Sequence, residues 1–96
     1  DETREIVKRG GNSWTASGNV HLNSLKEVTG IWLGSPDETE KEEEKRKTLG
    51  LLLIEHFEKI PRVGETINVN DCDLTVERME RCSIRLVRID KKPAGE

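Results

Sequence analysis

Apolar residues recur along this chain with two periods. Between Thr48 and Ile60 they fall at Leu49, Leu52, Leu53, Phe57 and Ile60, the three- and four-residue steps that line one face of a helix. A helix is therefore expected over about Thr48–Lys59. Pro61 lacks an N–H and biases the residue before it away from helix, so it is expected to stop the element. Gly64 permits a turn, and Ile67 and Val69 then alternate as strand residues do. A helix, a stop and the start of a strand fall within Thr48–Asn70, and the rest of the chain arranges around them.

The remaining pattern is read in order. Asp1–Glu5 is polar and expected to fray. Glu5–Arg9 holds Ile6 and Val7 as a short strand, and Gly10-Gly11-Asn12 is a hairpin signal. Ser13–Ser17 returns, with Trp14 and Ala16 on one face, and Gly18-Asn19 breaks it. Leu22, Leu25 and Val28 suggest a short helix capped by Asn23 or Ser24 and ended by Gly30. Ile31, Trp32 and Leu33 need a place in the core, and Gly34–Asp37 turns the chain. Residues 37–47 form a charge run, with Glu42–Arg46 and Glu43–Lys47 at helical spacing. It reads as a solvated connector, either a loop or an extension of the following helix. Asn70-Asp71 and Glu80-Arg81 are turns between strands. Leu74 and Val76 share one strand face and Thr75 and Glu77 the other. In the last strand Ile84 and Leu86 have one parity and Val87 and Ile89 the opposite, which requires a bulge near the middle. Residues 91–96 form a polar tail. The expectation is a single α+β domain over 1–96, in the order β-β-α-α-β-β-β, with a mainly antiparallel five-stranded sheet and two helices packed on one face.

Composition narrows the function classes. Only 32% of residues are hydrophobic and 36% are charged, so the core is thin and the surface heavily charged. The aromatics are Trp14, Trp32 and Phe57, too few for a base-stacking platform. A net charge of -3 selects no partner class. Arg78, Arg81, Arg85, Arg88, Lys91 and Lys92 make the last strands basic, but Arg85 and Arg88 are expected on opposite faces, so nucleic acid is not the expected partner. Cys72 and Cys82 lack disulfide-scaffold or metal-ligand spacing and read as free thiols of a reducing compartment. No apolar run reaches the roughly 20 residues that cross a bilayer, and no signal peptide is visible. The start at Asp1 reads as a piece cut from something longer.

No catalytic constellation emerges. His56 lies between Leu52 and Phe57 on the helix and reads as a histidine at the rim of the core. His21 abuts a helix start, and neither cysteine sits in a glycine-framed nucleophile turn. Gly10-Gly11 and Gly64 do not precede a lysine-serine helix start, so no phosphate loop is present. Asp71 and Asp73 flank Cys72 in what reads as a polar turn rather than a metal site. No residue is assigned to catalysis, cofactor binding or a metal.

Ile60-Pro61-Arg62-Val63-Gly64-Glu65, placed after an apolar helix beginning Thr48-Leu49-Gly50, resembles the CorC/HlyC transporter-associated domain. Trp14 and Gly18 in SWTASGNVHL resemble that family's strand before its short helix, here Leu22–Val28. Leu74-Thr75-Val76 and Leu86-Val87-Arg88-Ile89 resemble its last two strands. The resemblance covers about Glu5–Asp90. The charged stretch 37–47, Leu51 in place of a second glycine, and Glu80-Arg81-Cys82-Ser83 in place of an Asp-Gly turn depart from it. The resemblance implies a non-catalytic cytoplasmic regulatory domain of a membrane protein for magnesium and cobalt transport or efflux, some members being hemolysin-like. Its implied partners are a CBS pair and a membrane domain of the parent chain, or a second copy in a homodimer. The implied ligand is small, with adenine nucleotides and flavins as candidates, and no fixed cofactor is implied. A docking module without a ligand, and the end of a cation/proton antiporter, are the alternatives.

Overall fold

A computed structural model describes residues 2–92 of the chain. Five antiparallel strands form one sheet in the order β1-β2-β5-β4-β3, where β1 is Ile6–Lys8, β2 Ser13–Ser17, β3 Thr66–Val69, β4 Cys72–Glu80 and β5 Ser83–Lys91. Three helices accompany it: α1 (Leu22–Thr29), α2 (Glu38–Glu44) and α3 (Leu49–Phe57). Both β1–β2 and β3–β4–β5 follow the chain, whereas the β2–β5 pairing joins its two ends. Asn70 and Asp71 both take positive φ (48° and 66°), the conformation a two-residue hairpin turn requires. The expected bulge is present: the β4–β5 register shifts between Val76 and Met79, and Ile84, Val87 and Ile89 are all buried.

The core lies between one sheet face and two helices. Ile6, Ala16, Val69, Cys72, Leu74, Val76, Ile84, Val87 and Ile89 from the strands join Leu22 and Leu25 of α1 and Leu49, Leu52 and Leu53 of α3 in one buried cluster. Val20, Ile31 and Leu33 complete it, and Trp32, also expected in the core, packs against it half-buried. The other sheet face is polar, with Thr15, Arg88, Thr75 and Thr66 in one cross-strand row and Ser13, Asp90, Asp73 and Asn68 in the next.

Several local expectations are corrected. Glu2–Glu5 is a 3-10 turn rather than a frayed end. α1 begins at Leu22 with His21 in the N-cap position, and Asn23 and Ser24 lie inside it. The His21 side chain makes no cap bond, and backbone carbonyls accept instead: the N–H of Leu22 donates to Lys47 O at 2.9 Å and that of Asn23 to Lys45 O at 3.2 Å. Gly30 ends it in the left-handed region, as expected. α3 ends at Phe57, before Pro61 can act, because Glu58 turns left-handed (φ 60°) and its N–H donates to Ile54 O. Ile60 is therefore off the helical stripe and 52% exposed.

The charge run is neither loop nor extension. It is a separate helix, α2, whose Asp37 cap accepts from Thr39 N. Because α2 ends at Glu44, the expected four-residue pairs do not form, and Glu38–Lys41, Glu42–Lys45 and Glu44–Lys47 pair at three. Of the polar tail, Lys91 closes β5 and residues 93–96 lie outside the described residues. The bulge also removes the reason for placing Arg85 and Arg88 on opposite faces, since both fall among positions of β5 outside its buried set.

Thr48 accepts from the N–H of Leu51 at 3.3 Å and so caps α3. Thr48→Ala is expected to cost about 1 kcal/mol, read as a thermal midpoint lower by about 4–8 °C.

Candidate functional site

α3 is set against the sheet by two glycines. The N–H of Gly50 donates to Gly18 O at 2.9 Å, and a Cβ at Gly18 would lie 1.9 Å from the backbone oxygen of Ile84. This docking leaves a cleft of about 270 Å³ between the far half of α3, the turn after Leu33 and the β3–β4 turn. Leu33, Leu52 and Val69 form its apolar floor. Ser35, Glu44, Lys47, Glu55, His56 and Asn70 supply its polar wall.

The wall is held by named bonds. The Asn70 amide donates to Trp32 O at 3.1 Å and to Gly34 O at 2.9 Å, tying the β3–β4 turn to the segment after α1. The Trp32 indole N–H donates to Ser35 O at 2.8 Å. Glu44 Oε2 accepts from the Ser35 N–H at 2.9 Å. Lys47 Nζ lies 2.6 Å from Glu55 Oε1 and 3.6 Å from Glu44 Oε1. Its pKa is raised, first by the hydrogen bond to Glu55, with burial opposing and the charges of Glu44 and Glu55 assisting. Two carboxylates thus face one ammonium over an apolar floor. The lining offers no activated nucleophile and no phosphate cradle.

The residues singled out by sequence are scattered. His56 is exposed on the cleft wall, beside the core residues Leu33, Leu52 and Val69 that floor the cleft. His21 is half-buried at the start of α1 and bridges to Thr48. Its surroundings form a second, more polar cleft of about 360 Å³ with Asn23, Ser24, Glu42, Lys45 and Arg46. Cys72 is buried and Cys82 exposed, and both are free. Asp71 lies in the turn, while Asp73 sits in β4 and accepts from the Asn68 amide at 3.0 Å. Among the described residues no three His, Cys, Asp or Glu side chains gather closely enough to hold a metal ion. Lys47, Glu44, Glu55 and Asn70 carry no site signal in the sequence. Their only sequence signal was membership of a charge run, an amphipathic helix and a turn.

Burial pushes the Cys72 thiol up and the Glu55 bond pushes Lys47 up, so both hold their proton more tightly folded than unfolded. Their contribution is complete below the unfolded values of 9.0 and 10.5 and is lost as pH rises through the folded ones. Asp37, Glu42 and Glu65 are lowered, chiefly by hydrogen bonds from the Thr39 backbone, Lys45 and the Arg62 backbone, so their contribution is lost as pH falls below about 4. Urea midpoints are therefore expected to be flat from about pH 5 to 8 and to fall on both sides.

The sequence model of the CorC_HlyC family, described as a transporter associated domain, matches residues 7–93. The chain belongs to this family. UPF0053 protein YegH of Escherichia coli K12 is 31% identical over 91 residues, covering 93% of the chain and 16% of YegH. The chain thus spans about a sixth of the length of the curated relatives it matches. Among solved structures, the transporter associated domain of a CBS domain protein from Porphyromonas gingivalis superposes with a TM-score of 0.75 at 20% identity, covering 93% of this chain and 99% of that one. A region associated with a putative Mg2+ and Co2+ transporter (CorC) from Neisseria meningitidis gives 0.72 at 16%, covering 92% and 99%. These likenesses show the fold of the CorC/HlyC domain in this chain. Among the described residues no helix is long and apolar enough to cross a membrane.

Proposed function

We propose that this CorC/HlyC domain is a non-catalytic regulatory module on the cytoplasmic side of a membrane protein for magnesium or cobalt transport or efflux, and that a small ligand in the Lys47 cleft modulates transport. The observation that carries the reading is the family match over 7–93, and the relatives with CBS and CorC names support it. Under this reading its partners are the CBS pair and membrane domain of a longer chain. The cleft's excess of one carboxylate over its single lysine favours a ligand bearing an ammonium or other hydrogen-bond donors over the phosphates of a nucleotide or flavin. The test is cation flux through the parent transporter carrying Lys47→Ala with Glu55→Ala. Altered flux at unchanged protein level is expected. Flux identical to the unmodified transporter would contradict the reading.

A second reading is a docking or dimerisation module without a ligand. It is favoured by the exposure of Leu51 (46%), Ile60 (52%) and Val63 (59%). Sedimentation of the 96-residue chain discriminates the homodimer, which requires a concentration-dependent increase in mass.

A further inference from the structure

We propose that α2 is a strap pinned across the rim of the Lys47 cleft by one carboxylate, Glu44, and that it opens without unfolding the rest of the domain. Its use in controlling the cleft rests on the regulatory reading above, whereas the strap itself rests on contacts alone. α2 has seven residues and buries none of them, and a helix this short is marginal in water by itself. The Glu38–Lys41 and Glu42–Lys45 pairs are internal to the segment, with both glutamates 82% exposed, and the Asp37 cap is internal as well.

Two hydrogen bonds at the ends of the segment converge on Ser35. At one end Ser35 Oγ accepts from the Asp37 N–H at 3.1 Å, and at the other Glu44 Oε2 accepts from the Ser35 N–H at 2.9 Å. Residues 37–43 therefore form a loop closed at both ends on one residue. Gly34 makes room for the pin, since a Cβ there would lie 2.7 Å from Glu44 Oε2. Beyond Glu44 the chain is anchored independently, because the carbonyls of Lys45 and Lys47 accept from the first two amides of α1. That anchor is the hinge. Glu44 and Lys47 both line the cleft, so releasing Glu44 widens it and leaves Lys47 with Glu55 alone.

Hydrogen exchange on the 96-residue chain tests this. Alanine is a better helix former than glutamate, so a helix held by its own propensity would exchange no faster in Glu44→Ala. The strap predicts that the amides of Lys41–Lys45 exchange about tenfold faster in that variant, the effect of losing one hydrogen bond to a charged acceptor, while α3, β4 and β5 are unchanged. Glu43→Ala, an exposed neighbour, is expected to change nothing. In the unmodified chain, exchange of α2 is expected to be insensitive to low urea, while that of α3 and β5 quickens. Unchanged or slower exchange at α2 in Glu44→Ala, a rise shared equally with α3 and β5, or a common urea dependence would overturn the strap. A ligand screen without a hit would remove the ligand reading and leave these outcomes as they are.

Discussion

Gly18→Ala is expected to be the most damaging small substitution in the chain. Its Cβ would fall 1.9 Å from the backbone oxygen of Ile84, and a backbone atom has no rotamer by which to yield. Either β5 shifts away from β2 or α3 loses its seat on Gly18 O, and both options break backbone hydrogen bonds, Gly18 N to Arg85 O or Gly50 N to Gly18 O. Overpacking of this kind costs about 3 kcal/mol or more, a large share of the roughly 5–15 kcal/mol that holds a domain together. The thermal midpoint is expected to fall by more than about 12 °C. Gly10, where a Cβ meets nothing within 4 Å, is the control, and Gly10→Ala is expected to leave the midpoint nearly unchanged. Equal midpoints for the two variants would show that the close approach at Gly18 does not exist.

Leu53→Ala carries the second large effect. Leu53 is fully buried where α3 meets the sheet, and emptying such a site costs about 2–5 kcal/mol through lost burial and the cavity left behind. Leu51 lies two residues away on the same helix but is 46% exposed, and Leu51→Ala is expected to cost less than about 1 kcal/mol. Urea denaturation of the pair checks both. If Leu51→Ala proved the costlier, the assignment of the core face of α3 would be wrong.

The contrast between those two leucines marks what sequence periodicity does reveal. Leu49, Leu52 and Leu53 were legible as a core face because a helix repeats every 3.6 residues whatever surrounds it. The Asn70-Asp71 turn and the β5 bulge were legible for similarly local reasons, positive-φ tolerance and a change of parity. The misjudged features depend on distant partners or on a local backbone conformation that residue type does not encode. α1 starts ahead of the expected Asn23 or Ser24 cap because carbonyls of Lys45 and Lys47, more than 20 residues away, serve as its cap. α3 stops before its proline because Glu58 adopts a conformation that its side chain does not advertise. The cleft was illegible because its parts are distant in the sequence. Its lysine, its two glutamates and Asn70 come from three separate segments, brought together by the docking of α3 on Gly18 and by the Asn70 amide bonds to Trp32 O and Gly34 O. The family was legible where the fold is most constrained, at the helix and the IPRVGE turn, and that match says nothing about the cleft.

Modulation of this domain by a ligand is read from thermal unfolding of the 96-residue chain against magnesium, cobalt, calcium, adenine nucleotides, flavins and a small diamine. A ligand that binds only the folded state adds about 2.7 kcal/mol at a hundred times its dissociation constant, many degrees in a domain this small. A ligand-modulated module gives a concentration-dependent rise with one of these that disappears in Glu55→Ala. A flat panel on a well-folded chain, or a rise that Glu55→Ala leaves intact, would contradict it.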